Sequence, residues 1–172
     1  MDTMKFNSNC TVIAIFVSML TNSIFGQISI EDSHHHADSK YEIGISAGVS
    51  HLVHENENPF SAHIHLLRRL GSENLWEKFS LGAGFEYIFS KHEHYSIVGT
   101  ISVNPIWDLI LDISPGILVT EHDGSKEKQF VTHIELTYEF DFKQFRIGPV
   151  LGYGLSKDDT HYMIGVHIGK GF

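Results

Sequence analysis

Thirteen histidines stand among 172 residues, more than the 12 lysines and arginines together, and 21 carboxylates accompany them. Imidazole nitrogen beside carboxylate oxygen is a donor set for Zn, Ni or Cu(II), so placement decides whether a site exists. His63 and His65 lie two residues apart, as do His133 and Glu135, and Glu86 and His167 fall on the same side of the strand pattern traced below. Other histidines occupy acid-bearing segments: Lys91-His92-Glu93-His94, Glu121-His122-Asp123 and Lys157-Asp-Asp-Thr-His161. From these two groups the metal-ligand candidates are His63, His65, Glu86, His92, His94, His122, His133, Glu135 and His167. No HExxH or CxxC spacing is present, so the pattern does not describe a ready-made four-ligand zinc site. One triplet, His94-Tyr95-Ser96, has the order of a base and a hydroxyl nucleophile, which must lie within hydrogen-bond reach of each other to react. The formal net charge of -9 draws divalent cations and repels phosphate backbones, which argues against nucleic acid as a partner.

The elements that must position these residues are strands. From Tyr41 onward apolar and polar residues alternate, and successive strand side chains face opposite sides. The first strand sets Tyr41, Ile43, Ile45, Ala47 and Val49 against Glu42, Gly44, Ser46, Gly48 and Ser50. Seven more follow: Phe60 to Leu66, Phe79 to Phe89, Tyr95 to Asn104, Trp107 to Val119, Phe130 to Phe142, Phe145 to Leu155 and His161 to Gly169. Pro115 and Pro149 interrupt two of them. The polar face is mostly Gly, Ser and Thr, the small residues that fill a narrow lumen, and it carries the candidate His and Glu. Aromatics gather near strand ends on the apolar face, where the two edges of a lipid layer would sit.

The amino terminus reads as a different region. An apolar run of eleven residues, Cys10 to Leu20, follows a segment bearing Lys5, is too short for a membrane-spanning helix, and reads as a secretory signal ending at about residue 26. Residues 27–40 form an acidic lead with His34, His35 and His36, and residues 41–172 form the folded body. The one cysteine, Cys10, falls inside the signal, so the exported chain has no disulfide.

Eight strands of about ten residues close an antiparallel up-and-down barrel with no unpaired edge, and an apolar outer face suits lipid. With its signal, its strands and its closing Tyr162-Met-Ile-Gly-Val-His-Ile-Gly-Lys-Gly-Phe172, the chain resembles the small outer-membrane β-barrels of OmpX-like architecture over residues 41–172. The resemblance implies a transmembrane β-barrel in the cell outer membrane with both ends of the exported chain periplasmic. It also implies contact with outer-membrane lipid, a terminal Phe172 read by the barrel-assembly machinery, and a larger outer-membrane transporter as a partner to consider. The outer connections would then be 54–58, 91–94, 121–128 and 157–161, and the inner ones 71–76, 104–106 and 143–144.

Three functions follow from this frame. The first is binding or accessory uptake of a divalent metal (Zn, Cu or Ni) by lumen and rim histidines, several of which converge at mid-depth. The second is a structural or interaction barrel in which inward His and Glu only plug the lumen, with Arg69 and Arg146 offsetting Glu42, Glu86, Glu135 and Glu139. The third, suggested by lipid A deacylases of the same architecture, is hydrolysis by His94 and Ser96, against which stands the strand parity that turns both toward the lumen rather than toward lipid. An eight-stranded interior is only wide enough for side chains, which disfavours free diffusion of nutrients.

Overall fold

Strict alternation leaves each strand with one apolar and one small or polar face, and pairing every backbone edge is the only way to present the apolar face to hydrocarbon. A computed structural model describes residues 39–71, 74–106, 108–122, 125–142, 144–157 and 159–172. The expected signal and nearly all of the acidic lead lie outside them. The strands are β1 (Tyr41–Leu52), β2 (Phe60–Arg69), β3 (Phe79–Phe89), β4 (Glu93–Ile106), β5 (Leu109–His122), β6 (Ser125–Tyr138), β7 (Phe140–Phe142), β8 (Phe145–Ser156) and β9 (Thr160–Gly171). Apart from β6 and β7, which do not pair with each other, each pairs antiparallel with its neighbours in chain order, and β1 pairs with β9 to close the ring. β6 and β7 are one wall of the barrel, interrupted at Glu139, and both lie against β8. The result is a closed eight-stranded antiparallel barrel, as alternation predicts.

Both ends meet on one side. The Tyr41 amide donates to Phe172 O at 3.0 Å and the Phe172 amide donates back to Tyr41 O at 2.9 Å. The outward face is apolar and exposed, with Ile97 at 63% and Phe130 at 64%. Aromatic pairs mark its two edges: Tyr41 stacks on Phe172 at the end that carries the termini, and Phe60 packs on Phe89 at the other, which we call the mouth. The packed interior is the lumen, where Val98, Leu118 and Val131 form an apolar cluster beside a much larger set of buried polar groups.

Several connections differ from expectation. β5 and β6 pair as far as His122 with Ser125, so residues 121, 122 and 125–128 belong to a long hairpin and not to a loop. That hairpin stands above the point where β6 and β8 stop pairing, at Val131 and Ser156. Strand β4 runs through Asn104 to Ile106 with a register irregularity after Val103, where a turn was expected. The 71–76 connection contains a short 3-10 helix, Asn74–Lys78, whose Trp76 packs against Phe79. At the mouth, Lys91 donates to Glu57 at 2.5 Å and ties two connections together. That hydrogen bond holds the ammonium pKa above its ordinary value.

Candidate metal centre

Parity alone sends His63, His65, Glu86, His94, His133, Glu135 and His167 inward, and all seven are buried in the lumen. They do not converge on one point. Strand stagger sorts them into tiers along the barrel axis: the tier nearer the mouth draws on strands that are not neighbours, and the tier near the termini on β1 and its two partners, β2 and β9.

In the half nearer the mouth, Glu86 from β3, His133 from β6 and His161 from β9 each bring one ligand atom to within 4.8 Å of the others, and all three are buried. His133 Nδ1 lies 3.1 Å from Glu86 Oε2, and His161 Nε2 lies 3.6 Å from Glu86 Oε1. Register explains the meeting. His133 is cross-strand to Gly154, and Gly154 is cross-strand to His161, so the two imidazoles approach over a residue with no side chain, ring centroids 5.3 Å apart. A Cβ on Gly154 would run into the His161 ring. Two imidazoles and one carboxylate are a recognised three-ligand zinc set that leaves one position for water. Tetrahedral bonds of roughly 2.0–2.1 Å put ligand atoms about 3.4 Å apart, so the side chains draw together to complete the geometry.

In the middle tier His63 Nδ1 and Glu135 Oε1 are 2.6 Å apart, and Ser46 donates to Glu135 Oε2 at 3.3 Å. His63 and Glu135, expected in one site with His65 and His133, thus pair with each other across the lumen.

Near the termini, Glu42, His65 and His167 also bring ligand atoms within 4.8 Å of one another. Here His65 and His167 stack at 5.3 Å above Gly44, where a Cβ would strike both rings. Arg146 pairs with Glu42 and, at 2.7 Å, with Glu139. The expected offset of charge by Arg146 therefore applies to Glu42 and Glu139, while Glu86 and Glu135 meet histidines instead. Both ring nitrogens of His65 lack a hydrogen-bond partner. Leaving a buried polar atom unpaired costs about 1–3 kcal/mol, so such a ring asks for a ligand.

The remaining candidates lie elsewhere. His94 is buried at the mouth, with Nδ1 3.2 Å from Asp159 and Nε2 3.4 Å from Glu55. These carboxylates flank opposite sides of the ring and do not converge. His92 sits in the β3–β4 connection, where its carbonyl accepts from Ser90. His122 ends β5, and its side chain lies outside the described residues. The His94 and Ser96 pair of the hydrolase reading does not form. Ser96 Oγ instead lies 3.4 Å from His133 Nε2 and 3.4 Å from Glu86 Oε2. That order resembles a nucleophile, base and carboxylate, but Ser96 is fully buried, so the contact serves the packed lumen.

Two ligands escaped the sequence reading. His161 was placed in an outer connection, although its parity with His167 on the same strand already turned it inward. Glu42 was seen only as a charge for arginine.

No protein-family model matches the chain, and no curated protein matches it. Among solved structures it is similar to Neisserial surface protein A, at 10% identity and a TM-score of 0.58 over 78% of this chain and 98% of that one. It is similar to a de novo designed transmembrane β-barrel at 12% identity and 0.52, over 77% and 97% of the two chains. It is also similar to Ail, the attachment invasion locus protein of Yersinia pestis, at 14% identity and 0.50, over 76% and 98%. At these identities the likeness is one of architecture, and it extends over nearly the whole of each relative. By fold, the chain is a small eight-stranded transmembrane β-barrel.

Proposed function

We propose that this chain is an outer-membrane barrel that binds a divalent transition metal, zinc foremost with copper and nickel as alternatives, inside its lumen at Glu86, His133 and His161. The observation that carries the reading is the convergence of these three buried groups from β3, β6 and β9. Glu86 has no lysine or arginine among its ion-pair partners, so its charge is available to a cation. The site lies on the mouth side of the barrel, below the acidic ring of Glu55 and Asp159 around His94. With both ends of the chain periplasmic, the mouth faces outward and collects metal from outside the cell. Lipid surrounds the apolar belt, the assembly machinery reads the strand ending at Phe172, and a larger transporter is the partner that would take metal onward.

Zinc titration calorimetry on the detergent-extracted protein tests the reading. Glu86→Gln and His161→Ala should each abolish one binding event while leaving the heat-dependent gel shift of a folded barrel intact. Unchanged binding in both variants rejects the site. A second reading, a structural barrel whose lumen is merely plugged, is favoured by the His63–Glu135 pair, which meets across the lumen at 2.6 Å. It predicts no saturable zinc binding in the parent protein.

A further inference from the structure

We propose that Glu42, Glu139, His65 and His167 form a second divalent-metal site, at the end of the lumen that carries the chain termini. It shares with the Glu86 reading only the idea that the lumen takes divalent metals; no residue is common to the two. Four independent features point to it.

Glu42, His65 and His167 already place ligand atoms within 4.8 Å of one another. His65, only 3% exposed, has neither ring nitrogen hydrogen-bonded, so either one can carry the lone pair to a Lewis acid. A cradle exists beside them. A methyl group on Gly169 would lie 3.1 Å from Glu42 Oε1, 3.2 Å from His167 Nε2 and 3.3 Å from Glu139 Oε1. Three donors therefore surround a space where a Cβ would press on all of them, and Glu139 Oε1, 3.3 Å from His167 Nε2, makes no hydrogen bond.

The fourth feature is the support behind the donors. Arg146 pairs with the Oε2 atoms of both Glu42 and Glu139, which turns the two Oε1 atoms toward the cradle. Ser46 Oγ lies 3.0 Å from His167 Nδ1 and gives its own proton to Glu135 Oε2. With that proton directed to Glu135, Ser46 Oγ is the acceptor for His167 Nδ1–H in the tautomer whose Nε2 lone pair faces the cradle, 3.3 Å from Glu139 Oε1. Carboxylates fixed by an arginine and an imidazole fixed through its far nitrogen are how metal ligands are commonly oriented from behind. Two imidazoles and two carboxylates make a full tetrahedral donor set for zinc. Arg146 acts here as a positioning residue, and its charge cancels half of that on the carboxylates.

The test is zinc titration with metal analysis on the detergent-extracted protein, in a background with His34, His35 and His36 changed to Ala so that this tract contributes nothing. The parent should bind two zinc ions per chain, and a Glu86→Gln/His161→Ala variant should bind one. Adding His65→Gln, or separately Gly169→Ala, should remove that last ion. The Gly169→Ala variant keeps every ligand and fills only the cradle, so it reads the site even where His65→Gln impairs folding. Absence of zinc from the Glu86→Gln/His161→Ala variant, or zinc that persists after both further changes, overturns the proposal. A parent that binds only one zinc, which survives Glu86→Gln/His161→Ala and disappears with His65→Gln, would reject the Glu86 site and sustain this one.

Discussion

The mouth-side cluster around Glu86 and the terminal-side cluster around Glu42 use the same two ligand types, imidazole and carboxylate. Each brings two imidazoles to 5.3 Å across a strand that offers a glycine: His133 and His161 over Gly154, His65 and His167 over Gly44. What differs is the hold on the carboxylate. Glu86 is gripped by the same groups that would share a metal with it, His133 and His161, with Ser96 alongside. Glu42 is held by Arg146, which is no ligand. The carboxylate of the first cluster is therefore paired with its own imidazoles and not with an arginine, whereas the second has its shape built in and part of its charge already cancelled. A donor set can thus be prepared by electrostatics or by preorganisation, and one barrel contains both.

The comparison can be broken at its strongest point first. Arg146→Met leaves Glu42 and Glu139 buried without their cation, and stranding a buried ion-pair partner costs roughly 3–5 kcal/mol. Denaturant unfolding in detergent should show that loss, and an unchanged midpoint would mean that Arg146 holds nothing. Next in size, Glu86→Gln removes a ligand and should weaken zinc at the mouth-side cluster by more than about 100-fold, beyond what losing a supporting hydrogen bond costs. Ser46→Ala should sharpen the contrast, because it frees the far nitrogen of His167. A drop of about 10–100-fold confined to the terminal-side cluster is expected by calorimetry, and an equal drop at Glu86 would refute their independence. Smallest of all is Lys91→Ala. Its pair with Glu57 is solvent-exposed, so neither unfolding nor metal binding should change measurably, and any clear effect would show that the mouth connections brace the lumen.

Much of this architecture was legible as parity. Every second residue of β1, from Glu42 to Leu52, faces the lumen as alternation required, and the same rule placed His63, His65, Glu86, His133, Glu135 and His167 inside. Height along the barrel axis was not legible, because it depends on stagger that side-chain alternation does not encode. His63 and Glu86 are cross-strand neighbours in register, yet His63 reaches across the lumen to Glu135 while Glu86 turns to His133. Nothing in the spacing of residues 63, 86, 133 and 135 decides between those pairings. The role of glycine was equally hidden: Gly44 and Gly154 read as strand packing, and only the register shows which rings meet over them. The long β5–β6 hairpin escaped because its polar residues, Glu121 to Lys128, look like a loop until the pairing of Glu121 with Lys126 is seen.

The account stands on metal entering the lumen at Glu86, His133 and His161. Crystals of the barrel grown with zinc and measured at the zinc absorption edge test this most directly. The prediction is an anomalous peak inside the lumen at bonding distance, about 2.0–2.1 Å, from these three side chains. Density showing Glu86 paired only with His133 and His161, and no anomalous peak between them, would contradict it.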